Sequence, residues 1–214
     1  FNIFIVFLAG RFHIFSYNRM IEQPKQSNVA LAKSHGLQDE TLALLRLWQP
    51  DLSSPELANL AVQQGVLGRA TEKRTKDIVA IHFSPRYLMN NAAPAQQLKI
   101  LLNAGIPGTN LNQLFFIHTA RANLILHDFI TQVYWPFFAA GKPTISKEDA
   151  LRFIEQAYNS GVLAHKWSDS IVDRIALGLV RSISDFGLAE KGRKSERRIQ
   201  QFRITKPTLL YLVF

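Results

Sequence analysis

Two clusters of cations dominate the 214-residue sequence, and the chemistry they offer is capture of a polyanion. In the first, Arg69, Lys73, Arg74 and Lys76 alternate with Thr71 and Thr75 at the start of a helical segment. Cations and hydroxyls in that position approach phosphate oxygens, and arginine pairs bidentately with guanine. The second cluster is denser: between residues 187 and 206, Lys191, Arg193, Lys194, Arg197, Arg198, Arg203 and Lys206 stand against only Glu190 and Glu196. A cationic loop neutralises phosphates without reading bases. A solvated helix face or hairpin has the same composition, so these residues alone leave both readings open.

The rest of the sequence offers little other chemistry. With 25 Lys plus Arg against 16 Asp plus Glu, the net charge is +9, as expected of a protein that meets nucleic acid, an acidic membrane surface or an acidic protein. The absence of cysteine removes disulfides, thiolate zinc sites and cysteine nucleophiles. His13, His35, His82, His118, His127 and His165 form no metal or catalytic signature, and His118 and His127 fall on different faces of their segment. Arg121 and Asp128 nearby suit an internal polar pair. The GIPG at 105–108 lacks the lysine and spacing of a phosphate-binding loop, and no carboxylate pair has hydrolase spacing. The expectation is no enzyme, no cofactor and no metal. Most of the 15 phenylalanines sit in apolar runs, with only Phe202 and Tyr211 near the basic tail, which favours duplex over single-strand binding.

The elements that carry these residues are mostly helical. Leu42, Leu45 and Trp48 repeat at helical spacing up to Pro50, and Ser54-Pro55-Glu56 opens a second helix ending at Gln64-Gly65. Thr71 caps a third, with Ser84-Pro85 as its stop. This helix, glycine-containing turn and helix over residues 54–83 have the size of a helix-turn-helix. Ala93 to Ala104 forms a fourth helix. Asn110 to Tyr134 reads as one long, buried central helix ended by Pro136. Ser146 opens a helix through Tyr158, and Ser168-Asp169 opens another that stops at Gly187. Beyond it, the charged loop AEKGRKSER leads into RIQQFRI, which alternates as a strand, and residues 208–214 are β-prone. A cationic loop between strands after a helix is what the wing of a winged helix looks like.

The chain length suits one ordinary domain or two small ones, and no apolar run is long enough to span a bilayer. The fold class expected is mainly α, with a small β element near the C-terminus. It divides into an N-terminal helix-turn-helix-like region (34–90), a central bundle (91–165), and a last helix with a wing-like segment (166–214). Residues 1–19, apolar at the outset, carry no positive charge ahead of the apolar run, which leaves an extra strand packed on the fold, a weak membrane-surface anchor or residues upstream of the natural start; we favour the last, with Met20 as the beginning.

From about Leu37 to Leu212 the chain resembles the BrxA family of the bacteriophage-exclusion (BREX) defence system. The resemblance rests on DETLALLRLW, ELANLAVQQGVLGRATEKRTKDIV, HTARANLILHDFITQVYWPFF and KWSDSIVDRIALGLVRSISDFGLAE, then RRIQQFRI and a final YL, in that order. It implies a cytoplasmic, non-enzymatic, double-stranded DNA-binding component of phage defence. The implied fold has a part like the antitermination protein NusB and helix-turn-helix or winged-helix-like portions, with other BREX proteins as partners. An adaptor docking on acidic proteins and an RNA-binding protein are the competing expectations, and charge does not separate the three.

Overall fold

The computed structural model describes residues 36–163, 166–192 and 194–213, so the expectations for residues 1–19, His13, Met20, His35, His165 and Arg193 lie outside the described residues. The described chain opens with α1 (Gln38–Leu47), which buries Thr41, Leu44 and Leu45. Its last carbonyls are closed by Lys99, which donates to the carbonyls of Arg46 and Trp48. In α2 (Ser54–Gln63) the cap is Ser53, one residue earlier than the serine-proline pair suggests. Its hydroxyl accepts from Glu56 N while the Glu56 carboxylate accepts from Ser53 N at 2.8 Å.

The third helix departs from the sequence reading. It starts as expected, with Thr71 Oγ1 accepting from Arg74 N at 3.2 Å, and runs as α3 (Glu72–Asp77). It then continues in π-helical form over Ile78–Leu88, straight through Pro85. Proline costs the ladder one donor. This segment nevertheless buries Ile78, Val79, His82, Phe83, Arg86 and Tyr87, and packing of that face outweighs the missing bond. The helix ends only where Asn90, Asn91 and Ala92 all take positive φ, after which α4 (Ala93–Asn103) begins.

The expected single central helix is broken. It comprises α5 (Gly108–Ala122), α6 (Leu124–Phe129), a π-helical turn (Ile130–Tyr134) and α7 (Trp135–Ala139). The break is Asn123, in extended conformation, whose side-chain oxygen accepts from Leu126 N at 3.1 Å and so caps α6. Pro136 does not stop the run; it occupies the first turn of α7, where a missing N–H is harmless. The burial expected of this region is present: residues 113–119 are all buried.

The C-terminal third contains the expected small β element, a two-stranded antiparallel sheet whose first strand residue patterning did not reveal. Strand β1 (Thr144–Ser146) leads into α8 (Lys147–Asn159), whose capping box is Ser146 with Asp149. α9 (Asp169–Asp185) follows and packs along α8, closing at Gly187 with φ 80°. Strand β2 (Glu196–Arg198) pairs antiparallel with β1, placing Ile145 opposite Arg197. RIQQFRI is therefore a strand only at its start. The β-prone tail is a helix, α10 (Lys206–Val213), held on α5. Gln113 donates to Arg203 O at 2.7 Å and accepts from Thr205 N at 3.0 Å, which fixes the chain just before α10.

One apolar core joins these elements, with Trp48, Leu57, Phe83, Leu98, Leu114, Phe129, Tyr134, Ile154 and Leu179 fully enclosed. The start of the described chain is tied to the end of α9 and to the π-helical segment. Gly36 N donates to the Asp185 carboxylate at 2.9 Å, Gln38 Nε2 donates to Asp185 O at 2.8 Å, and Arg86 Nη1 donates to Gly36 O at 3.3 Å. Among the described residues no helix is long and apolar enough to cross a membrane.

Candidate nucleic-acid interface

The first basic cluster is only partly presented to solvent. Arg69 is exposed on the connection between α2 and α3, a stack of turns over residues 64–70 in which Gly65 and Gly68 have φ near 60°. That connection is longer than the three or four residues of a helix-turn-helix. Lys73 and Thr71 are exposed, Thr71 being committed to the cap, and Arg74 is half-buried. Lys76 is exposed but paired with Glu72 at 2.6 Å, and that bond and charge hold the Glu72 carboxyl below its ordinary range. Thr75 is 4% exposed and faces the core, out of reach of a phosphate. Arg69 and Lys73 are thus the best-presented cations of this cluster.

The second cluster is differently built. After α9, residues 188–190 run antiparallel to residues 198–200: Glu190 N donates to Arg198 O at 2.8 Å and Gln200 N to Leu188 O at 2.9 Å, with Ala189 bridged to Ile199. On the other side of the returning segment lies β1, with Ile199 N donating to Pro143 O at 2.9 Å. The order along the chain is therefore strand, helix, helix, hairpin. Lys191 and Lys194 are exposed on the hairpin loop, Arg198 on the returning strand, and Arg203 just beyond it. Arg197 is the exception: it is 4% exposed, because strand alternation turns its side chain to the opposite face from Glu196 and Arg198.

The fold adds two cations that the residue patterning did not single out. Ser170, Arg174, Leu177 and Arg181 form one outward stripe of α9, the helix that runs directly into the hairpin. Arg174 Nε donates to Ser170 O at 3.2 Å, which lays its guanidinium along the stripe. Arg174 and Arg181 are two turns apart, about 10.5 Å along the axis, a separation on the scale of the major groove. Their i, i+7 spacing ahead of a cationic loop was the available signal. It was masked by acids on the same helix, of which Asp173 is occupied by an ion pair with Lys147 at the start of α8.

Among the described residues no group of three His, Asp or Glu side chains is arranged to hold a metal ion. The enclosed histidine His118 has a structural partner: its Nε2 lies 2.8 Å from the Tyr211 hydroxyl, which donates to Gln97 Oε1 at 2.8 Å. Burial, with a smaller contribution from the charge of Arg121, lowers the His118 pKa to about 3.

The chain matches the family model described as BrxA over residues 26–214. It is also similar to an uncharacterized protein from Magnetospirillum magneticum of known crystal structure. The TM-score is 0.69 at 18% identity, over 89% of this chain and 93% of that one, a likeness of fold. No curated protein matches.

Proposed function

The chain belongs to the BrxA family, which implies a part in BREX phage defence, and from that premise we propose that it is a non-enzymatic double-stranded DNA-binding component of such a system. In this reading β1, α8, α9 and the hairpin form a winged helix. α9 turns its Arg174–Arg181 stripe to the groove, and the loop carrying Lys191 and Lys194 is a wing lying on the phosphate backbone. The observation that carries it is the hairpin: it follows α9 directly, shares its sheet with β1, and exposes three cations on or beside its tip. Arg69 and Lys73 supply a secondary cationic surface. An adaptor docking on other defence proteins is the second reading, favoured by Leu209, Leu210 and Val213, which are exposed on α10.

The test is a titration of the purified protein into duplex DNA, single-stranded DNA and RNA at low and moderate salt. Five phosphate contacts, from Arg174, Arg181, Lys191, Lys194 and Arg198, give a log–log salt slope of about −4.5, or about 500-fold weaker binding from 50 to 200 mM. Reversing Lys191, Lys194 and Arg198 to glutamate is expected to make the slope shallower than about −2. Reversing Arg69 and Lys73 is expected to change it less. An unchanged slope in the first variant removes the wing. Absence of binding to duplex at low salt favours the adaptor, and a preference for RNA of the same sequence refutes the duplex reading.

A further inference from the structure

We propose that Arg197 serves the wing without touching DNA: its buried guanidinium is kept without an acidic partner so that its charge adds to the field at the loop surface above it. The inference rests on the duplex-binding reading. Arg197 is the middle residue of β2 and its side chain is enclosed. Nη1 makes one weak hydrogen bond, to Glu190 O at 3.3 Å, and the buried Nε–H has no partner. No described carboxylate forms an ion pair with it. Of the two acids nearest in sequence, Glu196 faces the other way and accepts from Thr144 Oγ1 at 2.7 Å. Glu190 contributes only its carbonyl. The guanidinium lies immediately under the loop, since a Cβ added at Gly192 would be 3.5 Å from Nη1.

Arginine does not shed its proton, so this is a standing positive charge in a largely dry place. Burying a cation unpaired is among the more expensive arrangements a fold can hold, and an apolar side chain of similar length avoids that cost. What an unpaired charge offers is a field that no counter-ion inside the protein cancels and that solvent screens less than it screens an exposed lysine. That field emerges where Lys191 and Lys194 stand.

The full chain carrying Arg197→Met and, separately, Arg197→Lys is compared with wild type in thermal melting and in duplex affinity against salt. Arg197→Met is expected to melt at the same temperature or higher. It should bind duplex about fivefold more weakly at low salt, with the slope reduced by less than the 0.9 or so of one contacted phosphate. Arg197→Lys should keep most of the affinity. A clear fall in the melting temperature of Arg197→Met makes the residue a structural post and overturns the proposal whatever happens to binding. Equal affinity of wild type and Arg197→Met overturns it while leaving the duplex reading intact. A wild type that fails to bind duplex removes both, and the melting comparison alone still reports whether the guanidinium is unpaired.

Discussion

Acidification from pH 7 to pH 5 is expected to cost this protein about 2 kcal/mol through His118 alone. The side chain is 3% exposed, and the hydrogen-bond chain assigns its proton: the Tyr211 hydroxyl gives its hydrogen to Gln97 Oε1, so His118 Nε2–H donates to the Tyr211 oxygen. Tyr87 packs against the other side, ring centroids 5.8 Å apart, and Arg121 is the charged neighbour. None of these groups welcomes a second proton on the imidazole, and the pKa falls to about 3. In the unfolded chain His118 titrates near 6.5. Above that value both states are neutral and its contribution to stability is fully present. Below it the unfolded state takes up a proton that the folded state refuses, so stability falls as pH drops and levels off only near the folded pKa. Between pH 7 and pH 5 the unfolded state gains about 2 kcal/mol, and the figure hardly changes for any folded pKa below about 4. That is a sizeable part of the 5–15 kcal/mol typical of a folded domain. Urea unfolding of wild type and His118→Gln at pH 7 and pH 5 measures it. The variant starts less stable and should lose about 2 kcal/mol less on acidification. Equal losses, or a His118 ring that titrates near 6.5 in the folded protein by NMR, refute the reasoning.

Two further substitutions test the packing that holds the candidate interface in place. Ser53→Ala removes one half of the capping box of α2 and should cost about 1 kcal/mol, a fall of about 2–4 °C in melting temperature. No fall would mean that the cap is idle. Gly36→Ala places a Cβ 2.7 Å from the Asp185 Cβ and 2.9 Å from its Oδ2, in the clasp between the segment ahead of α1 and the end of α9. The crowding should cost about 1–3 kcal/mol. A denaturation midpoint equal to wild type would show that the clasp is not closed in solution.

Much of the helical framework was legible because its boundaries are written locally. The caps at Thr71 and Ser146 and the stop at Gly187 each act within one turn of their own helix. The misread places are those where distant packing decides. Pro85 is carried inside a helix because its neighbours Phe83 and Tyr87 are core residues. Asn123 breaks a run whose apolar periodicity continues on both sides of it. The β-prone stretch from Thr208 onward instead belongs to a helix, α10, laid on α5. In the candidate interface, charge density found the loop with Lys191 and Lys194. It could not separate Arg198 from its neighbour Arg197, because alternation assigns opposite faces only once the strand is known. Arg174 and Arg181 are not marked by the sequence, because the place of α9 depends on β1, a three-residue strand with almost no signature of its own.

That short strand also sets the order in which the region can assemble. The hairpin joins Glu190 to Arg198 within a few residues, whereas the bond from Thr144 to Glu196 spans 52 positions and encloses both α8 and α9. A nascent chain can close the local turn early and cheaply, while the outer partner can be recruited only after the helices between them have docked. The hairpin is therefore the last part of its unit to be braced, and any lesion that slows the meeting of α8 with α9 leaves a half-finished sheet with one unpaired margin open to other chains.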